Sequence, residues 1–230
     1  MAVRLKNGSV FLHIPKTGGN WVTTILKELN LFESSVGHKH SDIDQYFAPH
    51  IIGRKALINY SVPRILRRWS KPEKPFMFCF VRNPISWYES WYNYMSMPIR
   101  NWFIWGDEYD RYNWHPNSIL NGLGEGSFIE FVENVNKKRP GYVTELYGWY
   151  TKSQIDFIGK QENLADDLIK VLKIMGLDFD EDYIKNYIKI NVATKNKLIW
   201  SNELKKETIL LEYAGITRYG YQSDFKNWEL

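Results

Sequence analysis

The first run whose residue types and spacing could together do chemistry is Lys16-Thr17-Gly18-Gly19. The apolar segment before it, Val10 to Ile14, predicts a buried strand, which Pro15 ends because proline has no N–H to give to a sheet. The two glycines allow a tight turn and a close approach of the backbone to a ligand. A helix is predicted from Asn20, which can serve as its N-cap. Free backbone N–H groups and the helix dipole favour negative charge there, so the segment predicts an anion site. The alternative is an ordinary strand-to-helix turn with an exposed lysine.

A second candidate group follows the most apolar segment of the chain. Phe76 to Val81 predicts a strand covered on both faces, as in a parallel sheet, and it leads into Arg82-Asn83-Pro84. Asparagine is a suitable N-cap and proline a suitable first residue for the helix predicted to follow. An arginine at the carboxyl end of such a strand lies at the crevice where α/β sheets bind ligands, and its planar guanidinium suits a phosphate. Ser90 follows eight residues after this arginine.

The two groups together resemble a known family. His13-Ile14-Pro15-Lys16-Thr17-Gly18-Gly19 looks like the 5′-phosphosulfate loop of the sulfotransferases that use 3′-phosphoadenosine-5′-phosphosulfate (PAPS), in its carbohydrate sulfotransferase version. Phe78 to Pro84, together with Ser90, resembles the 3′-phosphate motif of that family. The lysine-glycine run is not a Walker A motif, because in that motif the lysine follows the glycines. The chain is therefore similar to carbohydrate-type PAPS-dependent sulfotransferases, and we expect a bacterial or viral member.

Later segments resemble the same family more loosely. Ile158 to Leu164 is similar to its late strand-helix junction, and Asn191 to Lys195 to a segment that often helps to hold the nucleotide. Ile216 to Tyr221 resembles its closing element. The resemblance thus covers most of the chain in outline, with specific motifs in the first half.

The resemblance implies a role for each residue of the two motifs. Lys16 is placed to hold the bridging and leaving oxygens. The donors of residues 17–20 are placed to hold the 5′-phosphate, and Arg82 with Ser90 to hold the 3′-phosphate. Trp21 is implied to stack on adenine, the alternative being packing of its helix against the core. No metal is expected, because a sulfuryl group carries less charge than a terminal phosphoryl group and a lysine can stabilise it. The cofactor-binding set is Pro15, Lys16, Thr17, Gly18, Gly19, Asn20, Trp21, Arg82 and Ser90.

Transfer to a hydroxyl needs a base that accepts the proton of the acceptor. Lys39-His40-Ser41 looks like a His-Ser/Thr motif in bacterial members of the carbohydrate-type branch. His40 is therefore the first candidate for the base and His38 the second, so that the predicted catalytic residues are Lys16, His40 and His38. By the same resemblance, the histidine at position 13 has a structural or orienting role. The sequence leaves three alternatives for the base: His50, His115 and Glu89.

The order of the elements predicts the fold class. Strand-then-helix patterns begin near Val10, Phe76 and Ile155. Such repetition is typical of an α/β fold with a central, mostly parallel sheet flanked by helices. The resemblance implies the P-loop-kinase-like sulfotransferase fold. We expect residues 1–230 to form a single sulfotransferase domain, with an aromatic-rich insertion at about 96–126 that is either a lid or binding loop or a packed excursion.

Local signals predict several further boundaries. Leu31 to Gly37 is predicted to be a loop, and Ser41 to cap a short helix that ends near Phe47. Ser127 and Asn163 are predicted N-caps of two amphipathic helices, and Gly176 ends the second one. Tyr142 to Tyr150 has no clear pattern.

Composition narrows the class of protein. The 230 residues suit one domain, and an aromatic content of 16% argues for a packed globular protein. The net charge of +4 suits a polyanionic small ligand or an acidic acceptor and gives no argument for nucleic acid. The single cysteine, Cys79, rules out an internal disulfide and a zinc-cysteine cluster, and favours a reducing compartment. No apolar segment predicts a leader or a membrane span, so we expect a cytoplasmic protein without stable membrane insertion; the oligomeric state stays open.

These observations predict a sulfotransferase that moves the sulfuryl group of PAPS to a hydroxyl of a small-molecule or glycan acceptor, leaving PAP, the desulfated cofactor. Tryptophans and tyrosines between 87 and 114 could stack on sugar rings, which favours a glycan or glycolipid. One alternative is a P-loop-like nucleotide kinase or NTPase. Another is a non-enzymatic carbohydrate-binding module, suggested by the aromatic-rich insertion.

Overall fold

The computed structural model of the chain describes residues 2–47, 74–98, 100, 102, 105–106, 115–187 and 198–225. The strands are Ala2–Leu5 (β1), Val10–Leu12 (β2), Phe32–Val36 (β3), Met77–Val81 (β4) and Phe157–Lys160 (β5). The helices are Gly19–Glu28 (α1), Ile43–Phe47 (α2), Pro84–Met95 (α3), Phe128–Lys138 (α4), Tyr142–Tyr150 (α5), Leu164–Ile174 (α6), Glu181–Asn186 (α7), Asn202–Leu211 (α8) and Tyr213–Arg218 (α9). Short 3₁₀ helices occupy Pro116–Leu120, Gln161–Asn163 and Gln222–Phe225.

The strands form a five-stranded sheet in the order β3-β1-β2-β4-β5. β2, β4 and β5 are parallel to one another, with Phe11 opposite Phe78 and Cys79 opposite Ile158. β1 pairs antiparallel with both β2 and β3. The α/β class is confirmed, but the expectation of a mostly parallel sheet is corrected, because half of the strand pairings are antiparallel. The turn of residues 6–9 is the cause for β1 and β2, since so short a connection can join only antiparallel neighbours; β3 adds a second antiparallel pairing on the other side of β1.

The three predicted strand-helix units are present in the parallel half. α1 follows β2, α3 follows β4, and α6 follows β5 through a 3₁₀ turn. Crossovers of this kind bring the carboxyl ends of the three strands to one edge of the sheet. The Lys16 loop and Arg82, which follow β2 and β4, therefore share that edge.

Alternation along the strands divides the core between the two faces of the sheet. Phe11, Phe78 and Phe80 contribute to a core with α1 and α6 on one face. The alternate residues of β2 and β4, Val10, Leu12, Met77, Cys79 and Val81, contribute to a larger core with α3, α4 and α5 on the other face. Both central strands are fully buried, which explains their continuously apolar sequences.

Three local expectations are corrected by the structure. The segment predicted to be a loop, Leu31 to Gly37, contains the edge strand β3, whose middle residues are exposed. Ser41 does not cap α2; its hydroxyl donates to His38 O, and the Asp42 carboxylate accepts the N–H of Gln45 instead. Asn163 is at the N-cap position of α6 but makes no capping hydrogen bond with its side chain.

Other predicted helix ends are confirmed. Asn83 accepts the N–H of Ile85, and Pro84 is the first residue of α3. Ser127 and Glu130 form a reciprocal capping box at the start of α4. Gly176 follows α6 with a φ of 66°, the left-handed conformation expected after a helix.

The aromatic-rich segment at 96–126 is described in part. Trp102 is 9% exposed and contacts Tyr92 and Phe131, and Trp105 stacks on His115. The described tryptophans of this segment thus pack against neighbouring rings, which agrees with a packed excursion. His50, Trp114 and the segment 191–195 lie outside the described residues. Within the described ranges, no helix has the length and apolar character needed to cross a membrane.

Candidate functional site

The loop between β2 and α1 contains two residues in the left-handed region. Lys16 has a φ of 68° and Gly18 a φ of 86°. Such a φ is uncommon for a residue with a side chain, and it is often kept where a loop has a function. The N-cap of α1 is Gly18, not Asn20, which lies in the first turn of the helix. The predicted cap is therefore wrong, because the left-handed glycine ends the turn two residues earlier.

His13 explains why the loop requires a glycine at position 19. A Cβ on Gly19 would lie 2.0 Å from the imidazole ring of His13. The buried imidazole thus packs directly on the first residue of α1. This contact agrees with the structural role expected for His13.

Three successive carbonyls hold the loop. The Thr17 hydroxyl donates to Ile14 O at 3.0 Å, and the buried Trp87 indole donates to Pro15 O at 2.9 Å. Arg82 Nη1 makes a long hydrogen bond of 3.4 Å to Lys16 O. The hydroxyl hydrogen of Thr17 is therefore used inside the loop, so its backbone N–H is the donor that remains for a ligand.

Peptide geometry then directs the N–H groups. In a trans peptide the carbonyl and the N–H point in opposite directions, and the described residues contain no cis peptide. Since Pro15 O faces the core at Trp87, the N–H of Lys16 in the same peptide points away from the core. The first N–H groups of α1 also have no partner within the helix. The loop can therefore offer several donors to one anion, as helix N-termini commonly do.

Arg82 joins the second motif to the first. Its backbone is held on both sides by the buried Tyr147 hydroxyl, which accepts from Arg82 N at 3.1 Å and donates to Arg82 O at 2.8 Å. Its side chain donates from Nε to Ser86 Oγ at 2.9 Å and reaches the carbonyl of Lys16. The two predicted motifs, 66 residues apart in the chain, thus come into contact.

Ser86 is a residue that the sequence analysis did not identify. Ser90 lies one turn farther along α3, so the two serines share a helix face that begins at the arginine. The position of Ser86, four residues after Arg82, was a usable sequence signal for a contact with the arginine. The Ser90 side chain is half-buried.

Positive charge accumulates around Lys16. Burial, together with the charges of Arg82, Arg100 and Lys39, lowers the pKa of Lys16 to about 8. Its Nζ lies 4.2 Å from the centre of the Tyr94 ring, and Arg100 Cζ lies 4.4 Å from the same centre. Tyr94 and Arg100 were missed by the sequence analysis as site residues. Cations gathered in this way are stabilised by an anionic ligand.

Arg82 has a different charge environment. Burial lowers the pKa of its guanidinium, whereas Glu162 and Glu89 act in the opposite direction. Glu162 also accepts from Asn83 N at 2.8 Å and from the Tyr221 hydroxyl at 2.9 Å. The late strand-helix junction and the closing segment, both noted in the sequence, therefore meet beside Arg82.

Four histidines form a cluster that we call the histidine cluster: His13, His38, His40 and His115. The His40 ring lies edge-on to His13 and to His115, with ring centres 4.7 Å apart in each case. Burial lowers the pKa of His13, His40 and His115 well below 6.5, and that of His38 to about 4. All four are therefore neutral at pH 7.

The hydrogen bonds distinguish the candidate bases. His40 Nδ1 lies 3.0 Å from His13 O; a carbonyl can only accept, so Nδ1 carries the proton and Nε2 has the lone pair. His38 Nδ1 accepts from His40 N at 3.3 Å, and His115 Nδ1 accepts from Asn117 N at 3.0 Å. In these two rings the available lone pair is already used. Glu89 accepts the Trp200 indole N–H at 2.9 Å.

Two further placements bear on ligand binding. Trp21 is 7% exposed and packs in the core beside Tyr187, as its packing alternative requires. Among the described residues, no group of three or more His, Cys, Asp or Glu side chains is arranged to hold a metal ion.

The fold and the site define an α/β protein in which a lysine-glycine loop and a strand-end arginine meet at one sheet edge. A model of the sulfotransferase family matches residues 2–212, so the chain belongs to that family, as its motifs predicted. A protein of Archaeoglobus fulgidus, described as uncharacterized, is 29% identical over 117 residues, which are 51% of this chain and 77% of that protein. No solved structure matches the chain. Family membership supports sulfotransferase activity in general.

Proposed function

We propose that the protein transfers the sulfuryl group of PAPS to a hydroxyl of a glycan or glycolipid. The observation that carries this proposal is the contact between Arg82 and the carbonyl of Lys16. It brings a phosphate-binding type of side chain beside a loop with several N–H donors. A ligand with phosphate groups at two positions suits such a pair better than a single anion does.

The residues present fit the charges of PAPS. Its phosphosulfate requires donors and a cation, which the N–H groups of the loop and Lys16 provide. Its 3′-phosphate requires a second cation with a hydroxyl donor, for which Arg82 and Ser90 are suited. Ser86 accepts from Arg82 Nε and donates its own hydroxyl to Asn83 O at 3.1 Å, so it orients the guanidinium. When bound, PAPS supplies the sulfuryl group and leaves as PAP. Lys16 stabilises the negative charge that develops on the leaving phosphate oxygen.

His40 is proposed as the base. Its Nδ1–H donates to His13 O, which orients the ring and leaves Nε2 able to accept the proton of a hydroxyl. The lowered pKa of His40, caused by burial, keeps that nitrogen unprotonated at neutral pH. A bound anion nearby raises the pKa of the ring and so makes proton transfer more favourable.

The preference for a glycan rests on the carbohydrate-type loop. Trp87, Trp91 and Trp102 are buried, so they are not available to stack on a sugar. Among the residues between 87 and 114 that the structure describes, the half-buried rings of Tyr92, Tyr94 and Trp105 are the aromatic candidates that remain. This distribution gives little support to a carbohydrate-binding module.

Calorimetry with PAP and with ATP-Mg²⁺ tests the cofactor. We expect PAP to bind, and Arg82→Ala to weaken its binding by about 1.5–3 kcal/mol, the scale of a lost charged hydrogen bond. Arg139→Ala, remote at the end of α4, is the matched control and should bind PAP like the wild type. Binding of ATP-Mg²⁺ without binding of PAP would favour a kinase or NTPase instead.

Turnover with labelled PAPS tests the roles in transfer. Lys16→Ala should retain some PAP binding but lose most transfer to the acceptor. His40→Ala should lower the rate at neutral pH without weakening PAP binding. Wild-type turnover in His40→Ala would assign the base elsewhere.

A further inference from the structure

The charges of Arg100 and Lys39 both act on Lys16, and the proposed cofactor site uses neither of these two residues. Lys16 Nζ lies 4.2 Å and Arg100 Cζ 4.4 Å from the centre of the Tyr94 ring, so the two charged groups are close neighbours. The pKa of Lys39 is lowered mainly by partial burial and, to a smaller extent, by the charge of Arg100. Arg100 is therefore close enough to act on both lysines. Such repulsion destabilises the free protein and is relieved when an anion binds.

Arg100 also has a donor without a partner. Its Nε is buried and makes no hydrogen bond to any part of the chain that the structure describes. A buried guanidinium donor left unpaired costs free energy, and Arg139 Nε at the end of α4 is buried and unpaired too. The nearness of Arg100 to Lys16 at the Tyr94 ring is therefore what makes its Nε suited to meet an acceptor atom on a ligand. Arg82 differs, because its Nε donates to Ser86.

The position of Lys39 indicates which ligand Arg100 would meet. Lys39 directly precedes His40, the proposed base, and is largely exposed. The proposed cofactor site assigns the phosphosulfate to Lys16 and the 3′-phosphate to Arg82, which leaves Arg100 and Lys39 beside the place where the acceptor hydroxyl must lie. A second anion at this point would compensate charges that PAPS leaves uncompensated.

We infer that Arg100 and Lys39 form a subsite for an anionic group, a carboxylate or a sulfate ester, carried by the acceptor near the hydroxyl that is sulfated. This inference rests on the proposed function and specifies its acceptor. The guanidinium, with Nε directed to the ligand, suits a bidentate contact to a carboxylate. The ammonium group of Lys39 adds a second, more mobile charge.

A matched pair of sugar ligands tests the subsite. p-Nitrophenyl glucuronide and p-nitrophenyl glucoside differ only in a carboxylate in place of a hydroxymethyl group, and calorimetry measures their binding to the PAP complex. We expect the glucuronide to bind about tenfold or more tightly, the scale of one charged hydrogen bond. Arg100→Gln should reduce this preference to about threefold or less, and Lys39→Gln should reduce it in part. Neither change should weaken PAP binding more than about threefold.

Controls separate this inference from the proposed function. Arg139→Gln removes a remote arginine and should retain the preference for the carboxylate. Equal or absent binding of the two sugars to the PAP complex, or an unchanged preference in Arg100→Gln, would overturn the anionic subsite alone. Loss of PAP binding in Arg100→Gln as large as in Arg82→Ala would instead assign Arg100 to the cofactor. Failure of the wild type to bind PAP would overturn the proposed function itself.

Discussion

The histidine cluster predicts a steep loss of stability in mild acid. Burial keeps the pKa of His13, His40 and His115 well below 6.5 in the folded protein, and that of His38 at about 4. In the unfolded chain, these side chains titrate with a pKa of about 6.5. Below that pH the unfolded state binds more protons than the folded state, so stability is present at higher pH and is lost as the pH falls.

The magnitude follows from proton linkage. A histidine that stays neutral in the folded state lowers the free energy of unfolding by about 2 kcal/mol between pH 7 and pH 5. Four such residues give about 8 kcal/mol when all of them stay neutral down to pH 5, which is comparable to the total stability of an ordinary domain, about 5–15 kcal/mol. Glu181, whose pKa is lowered to about 2 by hydrogen bonds from Lys173 and Lys185, loses its contribution only below about pH 4.5. Glu212, whose pKa is raised by burial, shifts stability in the opposite direction as the pH falls, so a comparison with a histidine variant is needed to isolate the histidines.

Urea unfolding measured by tryptophan fluorescence at several pH values tests this, with His115→Asn as the informative variant. The asparagine oxygen can accept the N–H of Asn117 in place of His115 Nδ1, so the cap is retained while the titrating group is removed. We expect the loss of stability between pH 7 and pH 5 to be smaller by about 2 kcal/mol in the variant. Equal losses in the two proteins, or a wild type whose stability does not fall, would refute the reasoning.

Three further predictions concern the loop and a control glycine. Because the pKa of Lys16 is about 8, PAP binding should weaken about tenfold from pH 7 to pH 9, and calorimetry on Lys16→Arg should show a flatter dependence. Gly19→Ala should destabilise the protein by about 2 kcal/mol or more in urea unfolding, because its Cβ would overlap the His13 ring. Gly148→Ala should stabilise it by about 0.5–1 kcal/mol, since a Cβ within α5 meets nothing within 4 Å; a loss of stability there would contradict the helix-propensity argument.

The parallel half of the sheet could be predicted because its residues are buried on both faces. β2 and β4 are continuous apolar runs followed by turn or capping residues, and that pattern has few other interpretations. β3 could not be recognised, because Phe-Glu-Ser-Ser-Val forms an exposed edge whose pairing with β1 comes from the backbone. No local side-chain pattern records such pairing.

The helix α5 shows a different limit of prediction. Its segment had no clear pattern, and the carboxylate that accepts the N–H groups of Val143 and Thr144 belongs to Glu212, 69 and 68 residues away. The buried Glu212 also accepts from the Tyr88 hydroxyl at 2.7 Å. A cap supplied from so far along the chain is visible only after folding.

The candidate site was predicted in its motifs but not in its surroundings. Lys16 and Arg82 were identified because their spacing to glycines and to a strand end has chemical meaning. Tyr94 and Arg100 were not, because contact between the loop and the end of α3 depends on how that helix packs. The same packing supplies the uncompensated charge on which the acceptor subsite depends.

The buried indole of Trp87 gives the loop a spectroscopic reporter. Its N–H proton is shielded from solvent and bound to Pro15 O, so it should exchange slowly with deuterium and give a distinct indole resonance in NMR spectra. The same peptide carries the N–H of Lys16 on its opposite side. An anion that accepts from that N–H polarises the whole peptide, which strengthens the bond to Trp87 and should move its indole proton downfield. Cofactor binding at the surface can thus be followed from one proton inside the core.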